Sequence, residues 1–215
     1  MMHEHDIPDL NLFMMCASPN PAAFTDCPAG YHIRPIRADE LSVWCRFPFD
    51  CEEGDISRHI AYMEDYYRRV YAPREDEFFT RCLMICGKDD LPLGTCFAWK
   101  VYGAFWTIHW FKVWKTHEGR GLGRALLSAV MKTVPTDGYP VYLHTQPSSY
   151  RAIGLYTDFG FSLLTDDVIG HRENHLSDAE PYLKHFMGSH YSRLTYARSD
   201  GTLHRAALCT EDNRF

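Results

Sequence analysis

Thr107-Ile-His-Trp-Phe-Lys-Val-Trp-Lys-Thr-His-Glu-Gly-Arg-Gly-Leu-Gly-Arg-Ala-Leu-Leu127 is the stretch whose reading decides the fold. Its first half is β-branched and aromatic and reads as a strand. Glycines then alternate at Gly119, Gly121 and Gly123, and an apolar repeat of helical spacing follows at Leu122, Leu126, Ala129, Val130 and Thr133. A strand, a glycine-rich turn and a helix N-terminus together make an anion site. The first helical amides lack intrahelical acceptors, the helix dipole favours negative charge, and glycine lets an oxyanion approach the backbone. The stretch therefore predicts a phosphate-bearing ligand.

Glycine spacing narrows the choice. A dinucleotide fingerprint needs glycine at its sixth position, which counted from Gly119 is Arg124, and the Gly-Lys-Ser/Thr of a nucleotide P-loop is absent. What remains is Val113, then Gly121 and Gly123 interleaved with Arg120 and Arg124. This resembles the acetyl-CoA motif of the GNAT superfamily of N-acyltransferases, Arg/Gln-x-x-Gly-x-Gly/Ala at a strand-to-helix turn. Glu118 stands where that family has Arg or Gln, and its carboxylate would repel a diphosphate, while Arg120 and Arg124 can compensate. A plain glycine-rich connection is the alternative for this motif taken alone.

A second motif supports the resemblance. Val141–Thr145 reads as a strand. After Pro147 and its serines a helix carries Ile153, Leu155 and Phe159 and stops at Gly160. This is similar to the family's Asn-x-x-Ala-x-x-Leu-Tyr-x-x-x-Gly-Phe, matching at Ala152, Leu155, Tyr156, Gly160 and Phe161, with Ser149 replacing Asn. The resemblance covers roughly Tyr31 to Leu164. It implies an α/β (α+β) fold with a mixed, mostly antiparallel central sheet and helices on both faces. It also implies acetyl-CoA as co-substrate and an amine as acceptor.

Residue roles follow from the same resemblance. Gly119, Arg120, Gly121, Leu122, Gly123 and Arg124 hold the diphosphate, with Ser149 beside them. Backbone groups of Phe111 and Val113 bind the pantetheine arm, and Tyr156 both contacts the cofactor and protonates the departing thiolate. A packing aromatic is the bland alternative for Tyr156. For the base, His109 shares strand parity with Phe111 and Val113, and a neutral histidine near ~6.5 can take an ammonium proton. A satisfied core histidine fits as well, and His144 is the second candidate. The twelve histidines are scattered, lack zinc-type spacing, and predict no metal.

Composition bounds the rest. The chain has 215 residues, enough for one domain with an appendage, and a net charge of −6, which offers no basic stripe for nucleic acid. No apolar run reaches membrane-spanning length, and Leu10–Cys16 is too short and wrongly flanked for a signal peptide. Eight cysteines without Cys-x-x-Cys in a chain lacking a secretion signal predict a reduced, cytoplasmic protein.

Three segments are expected. Residues 1–29, with Pro8, Pro19, Pro21 and Pro28, read as an irregular leader outside the core. Residues 30–165 form the transferase domain, and 166–215 an extension packed on it. Within the domain a short strand starts at Tyr31, Asp39 caps a first helix, and Asp55 caps a second over Ile56–Tyr71. Tyr62, Tyr66, Tyr67 and Tyr71 on that second helix either line an acceptor groove or pack in the core. Strands are expected over Phe78–Cys86 and Pro92–Lys100, joined by a turn at Gly87–Asp90. The extension shows a helix at Asp178–Met187 and a strand-like Leu203–Cys209. Sheet completion, a cover for the acceptor site and a homodimer contact are all open roles for it.

Overall fold

The protein is described from a computed structural model covering residues 2–50 and 55–210, so most of the expected Asp50–Asp55 loop lies outside the described residues. The strands are β1 Leu12–Cys16, β2 His32–Pro35, β3 Leu83–Cys86, β4 Pro92–Val101, β5 Phe105–Val113, β6 Val141–Thr145, β7 Phe161–Leu164, β8 Val168–Ile169, β9 Arg172–Glu173 and β10 Tyr196–Ala197. The helices are α1 Leu41–Trp44, α2 Ser57–Val70, α3 Glu75–Arg81, α4 Leu122–Met131, α5 Tyr150–Asp158, α6 Leu176–Met187 and α7 Thr202–Leu208. This is a mixed α/β fold with a mostly antiparallel central sheet flanked by helices. Among the described residues no helix is long and apolar enough to cross a membrane.

The chain divides into two compact units, one of residues 1–23, 100–107 and 135–215 and the other of 24–99 and 108–134. The three-segment division does not follow these limits. In the first unit the strand order is β10-β7-β1-β6. Strand β1 is antiparallel to both neighbours, with Met14 opposite Leu143 on β6 and Leu163 on β7. Leu12, Phe13, Met14 and Cys16 are fully buried. The reading of residues 1–29 as an irregular leader outside the core is therefore wrong. A strand with both edges paired and both faces covered shows an unbroken apolar run instead of alternation, so Leu12–Cys16 lacks the period-two signal. The prolines flank the strand and do not interrupt it.

The extension also departs from expectation. Leu203–Leu208 is helical in α7, which starts where Asp200 accepts the Thr202 amide at 2.9 Å, and Leu203 and Ala207, four apart, are both buried. The expected helix at Asp178–Met187 exists, begun two residues earlier. Strand β10 pairs in parallel with β7, so the extension does complete the sheet.

In the second unit the order is β5-β4-β3-β2, with β3 antiparallel to both β2 and β4. Phe78–Arg81, expected as strand, forms the end of α3. Glu75, Asp76 and Glu77 sit in its first turn where the dipole favours acids, and Thr80 bonds back to the Asp76 carbonyl at 2.7 Å. Asp39 does not cap α1; the Glu40 carboxylate accepts the Arg37 amide instead, at 2.9 Å. Asp55 does hold the start of α2, accepting the Ser57 amide at 2.9 Å. The core is aromatic. Trp44 meets Tyr67, Tyr71, Phe78 and Trp110 edge-on at 5.3 to 6.4 Å between centroids, a favoured arrangement for ring quadrupoles.

Candidate active site

The glycine turn lies in the second unit. Helix α4 opens at Gly121, which holds φ 79°, and Gly119 holds φ 75°. A Cβ at Gly119 would meet nothing within 4 Å, and one at Gly121 only the Pro28 side chain at 3.7 Å. These glycines thus serve backbone conformation and open approach, not close packing. Leu122 is buried and anchors the helix, while Gly123 and Arg124 are half-buried behind it. Arg120 is exposed, its guanidinium donating to the Thr116 carbonyl at 3.2 Å.

The turn starts from a fixed base. The Asp50 carboxylate, only 3% exposed, pairs with Lys112 Nζ at 2.6 Å and accepts the Lys115 amide at 2.6 Å. Trp114 donates its amide to Leu93 at 2.8 Å and its indole N–H to Pro92 at 3.0 Å. A backbone so tied is fixed where it enters the glycine turn. Asp50 carries no sequence signal, because its partners lie more than 60 positions away.

Glu118 is exposed and lies 3.8 Å from Lys115, its charge partly answered by that ammonium and not by Arg120. Glu118→Gln removes the carboxylate and is expected to tighten CoA up to about tenfold, or ~1.4 kcal/mol. Titration calorimetry showing unchanged or weaker affinity would mean that Lys115 already cancels it.

His109 is 8% exposed on β5, with Nδ1 2.6 Å from the Tyr71 hydroxyl and its ring against Phe97. The next residue, Trp110, donates its indole N–H to the same hydroxyl at 2.8 Å. Adjacent strand residues normally face opposite ways. Trp110 has φ 48°, a left-handed kink that turns both side chains toward Tyr71. The parity argument linking His109 to Phe111 and Val113 is thereby broken, since the alternation resets at Trp110. A bulky residue in that region costs energy and persists only where surroundings hold it. Here Trp44, Tyr66 and Tyr71 do so. Phe111 is half-buried and Val113 buried, next along the strand. Of the four tyrosines expected on α2, Tyr67 and Tyr71 are core residues, Tyr66 is half-buried and Tyr62 is exposed.

Tyr156 and Ser149 lie in the first unit. Tyr156 is buried on α5 with its ring 5.8 Å from Phe161, and Ser149 closes the short turn that leads into that helix. His144, the second base candidate, is committed elsewhere. An arginine can only donate, so the 3.2 Å contact from Arg172 makes Nδ1 an acceptor, and the Nε2–H then donates to Asn11 Oδ1 at 2.9 Å. Burial, then the Arg172 charge, push its pKa down to about 4. The unfolded chain takes up this proton near 6.5, so stability falls as pH drops from 6.5 toward 4, by at most about 3 kcal/mol. Urea midpoints should show His144→Gln losing less stability than wild type between pH 7 and 5; an identical loss would contradict the depressed value.

His32, Cys86 and Asp90 bring ligand atoms within 4.8 Å of one another, a grouping that linear spacing hides. Arg34 and Arg37 both pair with Asp90, and Arg34 also with Glu40 at 2.6 Å. Two guanidiniums oppose a cation there, and burial pushes the Cys86 thiol up to about 11. The cluster is an ion-pair network on an edge strand.

The sequence model of the acetyltransferase (GNAT) family matches residues 41–161. No curated protein matches the chain in sequence. Among solved structures, a GNAT-family acetyltransferase from Colwellia psychrerythraea superposes with a TM-score of 0.50 at 12% identity, over 73% of this chain and 53% of that one. A GCN5-related N-acetyltransferase from Sphaerobacter thermophilus gives a TM-score of 0.45 at 20% identity, over 66% and 44%. A GNAT-family acetyltransferase assignment from Novosphingobium aromaticivorans gives 0.45 at 17%, over 72% and 60%. The chain thus spans about half the length of the structures it matches.

Proposed function

Since the chain belongs to the GNAT acetyltransferase family, we propose that it moves an acetyl group from acetyl-CoA to a primary amine by direct attack in a ternary complex. The observation that carries this reading is the tethered turn before α4. Its left-handed glycines leave open space and it runs into the N-terminus of α4, where the first amides lack intrahelical acceptors, which suits a diphosphate. Gly119 to Arg124 would hold the diphosphate, the backbone of Phe111 and Val113 the pantetheine arm, and Ser149 a further polar contact. Acetyl-CoA supplies an activated thioester.

The chain's own residues manage protons and charge. An alkylammonium near ~10.4 must lose a proton before it attacks, and His109 is the acceptor of that proton. Backbone N–H groups on β5 polarise the carbonyl whose oxygen gains charge. Tyr156 donates a proton to the departing thiolate. Nothing in this route needs a metal or a covalent enzyme intermediate.

A second reading has its own observation. Glu118 and Ser149 both depart from the family's residue types, as a CoA-binding module without activity would. Incubation with acetyl-CoA and a panel of amines, read as release of free thiol, separates the two. Amine-dependent thiol release supports the transferase; CoA binding with no turnover on any amine class supports the module.

A further inference from the structure

We propose that Asp50 is a positioning residue for the cofactor: through the Lys115 amide, its carboxylate sets the direction of the turn that leads into Gly119 to Arg124. The proposal rests on that stretch holding the diphosphate of CoA. Lys115 opens the single 3₁₀ turn Lys115–His117, so its amide is one of the donors such a turn leaves without an internal acceptor. Trp114, in the cap position, supplies no side-chain acceptor. Asp50 supplies one instead, at 2.6 Å and from 65 positions away. What this turn holds in its own right belongs to the cofactor site. The Lys115 carbonyl accepts the Glu118 amide at 3.3 Å, where the chain leaves in an extended conformation toward Gly119. The Thr116 carbonyl accepts from the Arg120 guanidinium at 3.2 Å, and the Lys115 ammonium lies 3.8 Å from Glu118. One carboxylate thus stands behind the approach to the glycines, the arginine between them and the cation that answers Glu118.

The two bonds of Asp50 do different things. The Lys112 ammonium at 2.6 Å neutralises a carboxylate that is only 3% exposed, and this serves stability, because a buried charge without a partner is costly. The Lys115 bond fixes backbone direction. Phe47, fully buried three residues before Asp50, rests against the Trp114 ring at 4.6 Å between centroids, so the same two segments meet through an apolar contact as well. A turn already held in one orientation loses less freedom when a ligand binds. Charge alone predicts the opposite sign. A carboxylate near an anion site repels the anion, so removing one that acted only through its field would tighten CoA. Removing one that positions the turn weakens it.

Titration calorimetry with CoA on variants of the whole protein separates these roles, with urea midpoints to register stability. Asp50→Ala removes the acceptor and is expected to weaken CoA about tenfold. Affinity equal to or above wild type in the folded variant overturns the proposal. Asp50→Asn keeps one oxygen for two donors. Lys112 is 26% exposed and can turn its ammonium to water, whereas the Lys115 amide is fixed in the backbone, so the oxygen is expected to stay on Lys115. This variant should lose stability with the ion pair yet bind CoA within about threefold of wild type. An affinity loss as large as that of Asp50→Ala assigns the effect to the ion pair and overturns the role of the amide. Where Asp50→Ala does not fold, Asp50→Ala/Lys112→Met leaves no unpaired ammonium and carries the same expectation. Wild-type protein that binds no CoA defeats the phosphate reading of the glycine turn, and this use of Asp50 with it. Wild-type binding with no weakening in the acceptor-free variant defeats Asp50 alone.

Discussion

Gly121→Asp is expected to abolish CoA binding while the protein stays folded. The position has room, since a Cβ would meet only the Pro28 side chain at 3.7 Å, an ordinary contact. Its φ of 79° strains most side chains, but Asp and Asn are the non-glycine residues that tolerate the left-handed region best. The folding cost should therefore be about 1–2 kcal/mol. Binding is hit harder. A carboxylate at the head of α4 takes the favourable end of the helix dipole for itself and repels the incoming diphosphate. Affinity should fall at least about a hundredfold, or ~2.7 kcal/mol. Calorimetry on the variant, with circular dichroism to show that it is folded, checks this. A folded variant with wild-type affinity would refute the phosphate assignment of Gly119 to Arg124.

Tyr156→Phe is expected to lower kcat by roughly a hundredfold or more with little change in CoA affinity. The ring is buried beside Phe161, and the substitution keeps that ring and its packing. Only the hydroxyl is lost. General acid assistance to a leaving group is worth about 10²- to 10⁴-fold, so loss of the donor should appear in the chemical step and not in binding. If product release limits steady-state turnover, the multiple-turnover rate will hide the defect. Single-turnover measurement with enzyme in excess removes that exception, and a wild-type rate there would refute the acid role.

Legibility of the fold from sequence followed the range of the interaction that formed each element. Val141–Thr145 and the helices starting at Leu122 and Tyr150 were readable because strand alternation, glycine placement and helical spacing are local. The end of α3 was misread because Phe78 and Phe79 look like strand residues when the three acids before them are given no weight. The strand-like reading of Leu203–Cys209 fails for a similar cause, since the Asp200 turn that leads into α7 outranks the short apolar alternation. The larger miss, β1, was of another kind. Its seat between β6 and β7 brings together residues more than a hundred positions apart, and no local pattern encodes which two strands will take it.

The candidate residues divide in the same way. The glycine turn, the basic residues around it and Tyr156 are determined by the sequence itself, because turn conformation and helix start are properties of a few consecutive residues. Only the tertiary structure decided that Asp50 would tether that turn, that His144 would be committed to Arg172 and Asn11, and that Glu118 would pair with Lys115. It alone decided that Trp110 would kink β5 and bring its indole and His109 to one hydroxyl. The reason is physical. Hydrogen-bond partnership and proton placement depend on angstrom-scale distances between groups far apart along the chain, and those distances exist only after the core has packed.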